Sequence, residues 1–552
     1  MKQTQEQTKL PLQRNGAGRM SRTLIGRLAG GAAALLLAAC AALPPGVPPA
    51  PANDDAAAVL TLPSGRSLPV DPGALSYTGR ARMQWPDGRS YEGTWVDGLP
   101  DGHGIEIRPD GSRYVGEFRQ GSRAGVGMLE SLEGVYHGDW QDDLPEGDGV
   151  FQAADGARYE GAWLQGERFG QGTYTTPDGE QYSGDWAYDQ PHGFGHLRSA
   201  DGSQYRGEWS QGRQHGYGRA EGPAPQLVYE GTWAYGRKHG FGRETRPDGS
   251  HYEGDWVDGK RHGQGREVRA DGTFHDGSWE LNQALGPGRR NDTAGIEITG
   301  MWNGDTVSNG LLTLPTGAEY AGPLFSRANT VAAPMLLEWL QTTAERGDAY
   351  AALLLGRMHL DLLQPPPDLD KARHWLGLAA AAGIAEAQYR LALTFHEEAP
   401  ERAVPLLSRA AEQHHAGANE LLGDYYSQGI GVPRDLDTAI RHYQRAAQGG
   451  SNHARNNLAW LLATTADPDV RDGERALALI HPIALFLGDW QYLDTLAAAW
   501  AAAGEFDQAI VTAQQAMDEA RYDPQAAGDD IADMARRLER YRAGQPYLDI
   551  AP

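Results

Sequence analysis

The stretch that decides the fold is His192-Gly-Phe-Gly-His-Leu-Arg-Ser-Ala-Asp-Gly-Ser-Gln-Tyr-Arg-Gly-Glu-Trp209. In Tyr205-Arg-Gly-Glu-Trp209 the two aromatics and the glycine recur at every second position, which places them on one face of a β-strand. Before them, Asp201-Gly202 supplies the positive φ that a tight hairpin turn needs. His192–Arg198 reads as the partner strand, in which Gly193 and Gly195 leave room for neighbouring rings. Together these residues make one β-hairpin.

The unit repeats. Tyr-x-Gly-x-Trp stands at Tyr91, Tyr159, Tyr182, Tyr205, Tyr229 and Tyr252, with close variants at Tyr114 and Tyr136. Successive spacings from Tyr91 are 23, 22, 23, 23, 23, 24 and 23 residues. Degenerate copies follow near Phe274, Ile298 and Tyr320, and a truncated one precedes at Tyr77. A lone two-stranded hairpin is marginal in water, so the units must add edge to edge. The expected product is a long, twisted antiparallel sheet with a ribbon of tyrosine and tryptophan along one face. Phe274-His-Asp-Gly-Ser-Trp279 reads as carrying an extra residue, and the last two copies as lacking the aromatic pair.

These Tyr-x-Gly-x-Trp, His-Gly-x-Gly and Asp-Gly elements resemble MORN (membrane occupation and recognition nexus) repeats over about residues 77–325. The resemblance implies a platform linked with membrane association, protein binding and dimerisation, without chemistry of its own. Two uses of the ribbon stay open. Tyr159, Trp163, Tyr182, Trp186, Tyr205, Trp209, Tyr229, Trp233, Tyr252 and Trp256 either pack only against the sheet or also form a binding surface for glycan, lipid or peptide.

Two other columns invite sharper readings. His192, His215, His239 and His262 recur once per repeat, as a metal array would. Equivalent residues two strands apart stand roughly 10 Å from one another. Ligands about 2 Å from one zinc cannot be that distant, so the histidines read as turn or packing residues. Glu117, Asp139, Asp185, Glu208 and Asp255 precede the terminal aromatic and read as a solvated acidic face rather than paired catalytic carboxylates.

After Pro334 glycine thins and alanine and leucine rise. Leu421-Leu-Gly-Asp-Tyr-Tyr426, Gly429-Ile-Gly-Val432, Asp435, Ala439, Tyr443 and Ala446-Ala447 outline two amphipathic helices with a turn between them. Gly423, Ala439 and Ala446 permit a close helix crossing, and Asp435 suits an N-cap. Earlier copies align on Ala372 and Ala403; the second lacks the Gly-x-Gly-Val loop, so a shorter loop is expected there. The pattern resembles SEL-like repeats over about 335–450. Residues 454–522 are similar to tetratricopeptide units, with Leu496, Trp500, Gly504, Ala509 and Ala516 at that family's offsets. Such solenoids present a concave surface to partner segments. Trp375, Trp460 and Trp500 read as helix-packing residues, and His414-His415 as a partly exposed pair on a helix.

The N-terminal end carries the one cysteine. Arg22 and Arg27 precede twelve apolar residues, 28–39, too few to span a bilayer of roughly 30 Å but suited to a signal peptide. Leu37-Ala-Ala-Cys40 resembles the bacterial lipobox, which implies a lipid on Cys40, and Ala41 after it favours the outer membrane by the enterobacterial sorting pattern. Met20 competes with Met1 as the start. The proline- and alanine-rich residues 41–58 read as a semi-rigid tether.

Composition narrows the function. Six Lys/Arg and one Glu precede Cys40, so a chain beginning there carries −29 rather than −24. That charge disfavours nucleic acid as a broad partner. A single cysteine excludes internal disulfides and multi-cysteine metal sites. No His-Glu-x-x-His, Gly-x-Ser-x-Gly or P-loop motif is present. The expected organisation is a signal peptide and lipobox (1–40), a tether (41–58), a repeated-hairpin sheet (59–328), SEL-like helical repeats (335–450) and tetratricopeptide-like repeats (451–545). The expected function is a non-catalytic lipoprotein scaffold of the bacterial envelope, without cofactor, facing the periplasm or the cell surface. It would bind protein partners and reach the membrane through its lipid; the alternative is a module that binds cell-wall glycan or lipid.

Overall fold

A computed structural model describes residues 57–223, 227–324, 334–362, 367–523, 526 and 528–549. Cys40 and the expected signal peptide lie outside them, as does all but the end of the expected tether. The described residues form two compact units divided between Arg455 and Asn456.

The first unit opens with one antiparallel sheet of 24 strands, β1 (Ala58–Thr61) to β24 (Glu319–Pro323). The first three strands run in the order β2 (Ser67–Val70), β1, β3 (Gly79–Gln84). From β3 onward each strand pairs with the next in sequence through to β24. Two kinds of turn alternate along this meander. Between β13 (Gln190–Arg198) and β14 (Gln204–Ser210) the expected Asp201-Gly202 lies in a five-residue loop. Gly202 has φ +89°, and the Asp201 carboxylate accepts the Ser203 N–H at 2.8 Å. The tightest turn is the one between hairpins. Gln211 and Gly212, at φ +51° and +72°, join β14 to β15 (Arg213–Glu221) as a type I′ turn whose twist matches the strands.

Among the described elements the strands before β24 pack mainly against their own neighbours in the sheet, and each tyrosine supplies a local core. Gly207 and Gly218 face each other across β14 and β15, and the Tyr205 ring lies over them. A Cβ on Gly218 would stand 2.3 Å from the Tyr205 hydroxyl, and one on Gly207 2.4 Å from the Gly218 Cα. Only glycine lets the ring down onto the backbone. The Tyr205 hydroxyl donates to the Glu208 carbonyl at 2.9 Å, and the same i to i+3 bond recurs from Tyr77 to Tyr252. Each tryptophan reaches back one repeat, as Trp209 Nε1 donates to the Gly195 carbonyl at 3.4 Å. Its ring meets both Tyr205 and Tyr182 edge-on, with centroids 5.2 Å away in each case. Contacts of this kind add about 0.5–1.5 kcal/mol beyond area burial. The chain is thus a ladder in which every repeat stabilises its neighbours.

The degenerate copies keep this register. His275, not Phe274, occupies the tyrosine site, so no residue is inserted: Gly277 faces Gly288, and Trp279 lies 5.1 Å edge-on from the His275 ring. The last two copies each keep half of the pair, Trp302 in one and Tyr320 in the other. Ile298 and Leu324 fill the vacated positions.

Helices follow from α1 (Pro334–Glu345) to α12 (Gly528–Arg542). Leu336 and Leu340 of α1 and Leu353 of α2 (Ala349–Arg357) share one core with Ile296, Trp302, Leu312 and Leu324, so helices close the end of the sheet. The repeats of α3 (Leu369–Ala381) to α7 (Leu436–Gln448) behave as their small residues require. Gly423 of α6 (Ala416–Gln428) lies against the Tyr443 ring, where a Cβ would stand 2.5 Å from it. Ala439 and Ala446 are fully buried, and Asp435 caps α7 by accepting the Thr438 N–H at 3.1 Å. The second copy is short chiefly in its helix: α4 (Ala385–Leu393) has 9 residues where α6 has 13, while the loop after it is one residue shorter. His414 and His415 lie in the turn between α5 (Pro400–Glu412) and α6, not on a helix. His414 is left-handed at φ +63°, and His415 caps α6.

In the second unit, α10 (Trp490–Ala502) and α11 (Phe506–Ala520) form a helical hairpin around Gly504, at φ +88°. Leu496, Ala509 and Ala516 are buried in it. Trp375, Trp460 and Trp500 are half-buried. Trp375 packs in the core below the sheet's end, and Trp460 lies 5.9 Å from Tyr547. Trp500 meets His481 edge-on at 5.7 Å.

Candidate functional site

Of the two uses left open for the ribbon, its burial fits packing against the sheet. All ten ribbon residues, Tyr159, Trp163, Tyr182, Trp186, Tyr205, Trp209, Tyr229, Trp233, Tyr252 and Trp256, are at most 7% exposed. A roof of side chains covers them. The residue opposite the terminal aromatic of each repeat is Pro100, Arg123, Pro145, Arg168, Pro191, Gln214, Lys238 or Arg261. The Arg168 guanidinium stands 4.4 Å from the Trp186 ring, Arg261 4.4 Å from Trp279, and Lys238 4.9 Å from Trp256. Long cationic stems cover ring faces while their heads find acids. Burial alone would raise Glu244 and Glu267, but Lys238 and Arg246 hold the first carboxyl, and Arg261 and Arg246 the second, below their ordinary range. Burial likewise pushes the Tyr91 hydroxyl up to about 12. The ribbon is core and does not form the accessible binding surface read from the sequence.

Four of the five residues of the acidic column are structural as well, while Glu117 stands 3.7 Å from the exposed His103 Nε2. Each repeat carries a β-bulge before its terminal aromatic. Asp185 accepts the Phe194 N–H at 2.8 Å, Glu208 the Tyr217 N–H at 2.8 Å, and Asp255 the Gln264 N–H at 2.9 Å. Asp139 does the same for Asp148 at 3.2 Å. These carboxylates tie down the bulge, a task that side-chain type alone does not disclose.

The opposite face carries the accessible aromatics. The residue between the glycines of Gly-x-Gly points away from the ribbon, and in three consecutive repeats it is Phe194, Tyr217 and Phe241, exposed by 66%, 54% and 59%. Gln171 and Gln264 occupy the flanking repeats, so the row is bounded. Each ring follows an exposed histidine by two residues: His192, His215 and His239. His262, in the glutamine repeat, is half-buried. The histidines therefore border a surface and are not packed in a core. Tyr235, 71% exposed in a type I′ turn, sets its ring 5.8 Å from His215. The Tyr217 hydroxyl donates to Glu230 at 2.9 Å, which Arg219 also contacts at 3.3 Å.

Two further features lie away from this row. An open cavity of about 440 Å³ lies at the N-terminal hairpin, lined chiefly by Leu60, Leu62, Leu68, Val70, Leu75 and Tyr77. In the helices, Glu386 is nearly buried and accepts from Arg390 Nε at 2.7 Å, His415 Nε2 at 2.9 Å and Thr293 Oγ1 at 3.3 Å. Among the described residues no cluster of three or more His, Cys, Asp or Glu could hold a metal ion. No described helix is long and apolar enough to cross a membrane.

Parts of the chain are similar to known proteins. The DAP3-binding cell death enhancer 1 of Mus musculus is 35% identical over 103 residues, which are 18% of this chain and 20% of that protein. The chitin synthase regulator SKT5 of Malassezia restricta is 33% identical over 139 residues, 24% of this chain and 10% of that one. The chain thus spans a fifth or less of these relatives. A Sel1 repeat protein of Oxalobacter formigenes, solved by crystallography, aligns over all of its length and 38% of this chain at 19% identity, with a TM-score of 0.27. The MORN repeat model matches residues 91–113, 114–131, 136–158, 159–181, 182–204, 205–223, 229–251 and 252–274. The Sel1 repeat model matches 349–384, 385–415 and 416–451. The chain carries eight MORN repeats followed by three Sel1 repeats.

Proposed function

We propose that this chain is a non-catalytic scaffold of the bacterial envelope, anchored by a lipid on Cys40, that binds protein partners through its repeat surfaces. The carrying observation is that the repeats spend their reactive-looking side chains on themselves. The acidic column ties bulges, the ribbon forms core, and Glu386 and His415 join helices. What remains accessible is a periodic surface, which suits recognition of a partner. Both curated relatives carry names of the same kind, one a DAP3-binding protein and the other a regulator of chitin synthase. The lipobox-like Leu37-Ala-Ala-Cys40 supports the anchor. Ala41 after the cysteine, in place of aspartate, supports an outer-membrane location, facing the periplasm or the cell surface.

Metabolic labelling with radioactive palmitate tests the anchor, comparing the natural chain with Cys40→Ser and fractionating the envelope. Label that vanishes in the variant supports it; a natural chain without label removes both the anchor and the envelope assignment. Crosslinking in intact cells tests the scaffold role independently, and a chain that captures no protein there refutes it.

A further inference from the structure

The row Phe194, Tyr217, Phe241 has a period, and the period selects a ligand. Equivalent residues two strands apart are separated by roughly 9.6 Å. A polyproline II helix advances about 9.3 Å per three-residue turn and presents every third side chain along one edge. Three exposed rings in this spacing match three prolines at i, i+3 and i+6. Aromatic rows of this type accept such helices because the ligand loses little entropy on binding and its prolines lie flat on ring faces. The ligand's backbone carbonyls have no internal partners, and exposed His192, His215 and His239 stand beside the rings to donate to them.

The sequence carries that spacing of prolines. Pro45-Gly-Val-Pro48-Pro-Ala-Pro51, in the segment before the sheet, places prolines at i, i+3 and i+6. It has no charged residue, so the mixed charges beside the row do not oppose it. Reach decides between one molecule and two. From β1 to β13 there are eleven strand pairings, a path of roughly 53 Å along the sheet. The seven residues from Pro51 to Ala58 extend at most about 25 Å. We propose that Phe194, Tyr217 and Phe241 bind the Pro45–Pro51 segment of a second copy of this chain, linking molecules head to tail.

The test uses a full chain carrying Pro45→Ala, Pro48→Ala and Pro51→Ala, whose rings are intact and free of competition. A fluorescent peptide spanning residues 41–52 is titrated with it and followed by anisotropy. Saturable binding is expected, weakened at least about ten-fold when Phe194, Tyr217 and Phe241 are all changed to serine. Because these rings are exposed, the near-ultraviolet circular dichroism of the buried ribbon should be unchanged and serves as the folding control. Absence of saturable binding, or binding indifferent to the rings, overturns the proposal. So does ring-dependent binding of a β-1,4-linked glucosamine hexamer by a chain that ignores the peptide. Mixing the proline variant with the ring variant should yield a one-to-one dimer in sedimentation and no longer species; a mixture that stays monomeric also overturns it.

Discussion

The backbone N–H and the guanidinium Nε of Arg168 end on the same carboxylate oxygen of Asp189, at 3.0 and 2.9 Å, across 21 residues of sequence. Asp189 is the second residue of a type I′ turn, at φ +63°, where most repeats have glycine. The same relation joins Arg123 to Asp143 and Arg261 to Asn282, through N–H bonds of 3.0 and 2.9 Å. Where the roof residue is proline, at 100, 145 and 191, the turn residue is Gly121, Gly166 or Gly212, and its own N–H donates to the proline carbonyl. Proline has no N–H to satisfy, so the turn needs no side-chain acceptor. The two solutions alternate from Pro100 to Pro191; beyond it Gln214 and Lys238 stand opposite the glycine turns at Gly236 and Gly259, and the arginine solution returns at Arg261.

It follows that Asp189→Gly alone destabilises the hairpin, because a buried arginine loses its carboxylate and its backbone N–H an acceptor. The cost should be about 1–3 kcal/mol. Adding Arg168→Pro should recover most of it by converting this repeat to the alternative solution. Hydrogen exchange of the amides in residues 167–187 across the double-mutant cycle measures the coupling. Additive effects would remove the pairing rule.

His275 gives a second prediction. Burial, with Arg290 beside it, pushes its imidazole down to about 4 from 6.5, and neither ring nitrogen has a hydrogen-bond partner. Between pH 6.5 and about 4 the unfolded chain takes up a proton that the folded chain refuses. Stability at this repeat therefore falls as pH falls through that window, by on the order of 3 kcal/mol. His275→Tyr restores the ring of the other repeats, with its hydroxyl in reach of the Ser278 carbonyl. It should add about 1 kcal/mol at pH 7 and abolish the acid loss. Exchange rates around Trp279 at pH 7 and 4.5 decide; an acid loss that survives the substitution places its origin elsewhere.

How much of this was legible depended on which partner each residue has. The period, the strand face shared by Tyr205, Gly207 and Trp209, and the cap at Asp435 follow from near neighbours, and they stand in the structure as expected. Alternation says which residues share a face but not which face is covered. The roof over the ribbon comes from Arg168 and Pro191, read only after each hairpin is paired. Phe274 drew the repeat's register toward itself because aromatic character outweighed the Gly277–Trp279 spacing, which had the register right. His414 and His415 sit among good helix formers, and only the left-handed backbone at His414 ends the helix.

Glycine substitutions separate two costs that composition merges. Gly202 has a positive φ with open space around it, so Gly202→Ala should cost about 1–2 kcal/mol of backbone strain and nothing more. Gly218 supports the Tyr205 ring, so Gly218→Ala must lift that ring or part the strands, at about 1–3 kcal/mol. The near-ultraviolet circular dichroism of the ribbon should change for Gly218→Ala and not for Gly202→Ala. Equal spectra would mean that the ring does not rest on the glycine pair.

Acid should loosen the first unit in two steps at two places, and the order follows from opposite protonation chemistry. His275 in the sheet is a base kept neutral, so its contribution is lost from pH 6.5 downward. Glu386 in α4 is an acid kept charged: burial alone would raise it, but the His415 hydrogen bond and the Arg390 guanidinium hold it well below 4.5. A depressed carboxylate contributes fully above its unfolded value and loses that contribution as pH falls below about 4.5. His415 Nδ1 accepts the Ala418 N–H at 3.1 Å, so its other nitrogen carries the proton toward Glu386 in the neutral ring. Glu386→Gln keeps the shape but loses the charge opposite Arg390, and should cost about 1–3 kcal/mol at pH 7 with little further loss in acid. Site-resolved hydrogen exchange should therefore show amides near Trp279 opening at pH 5.5 while α4 and α6 stay closed, with α4 and α6 following at pH 3.5. Simultaneous opening at both places would mean that one cooperative event, and not two separate protonations, governs the acid response.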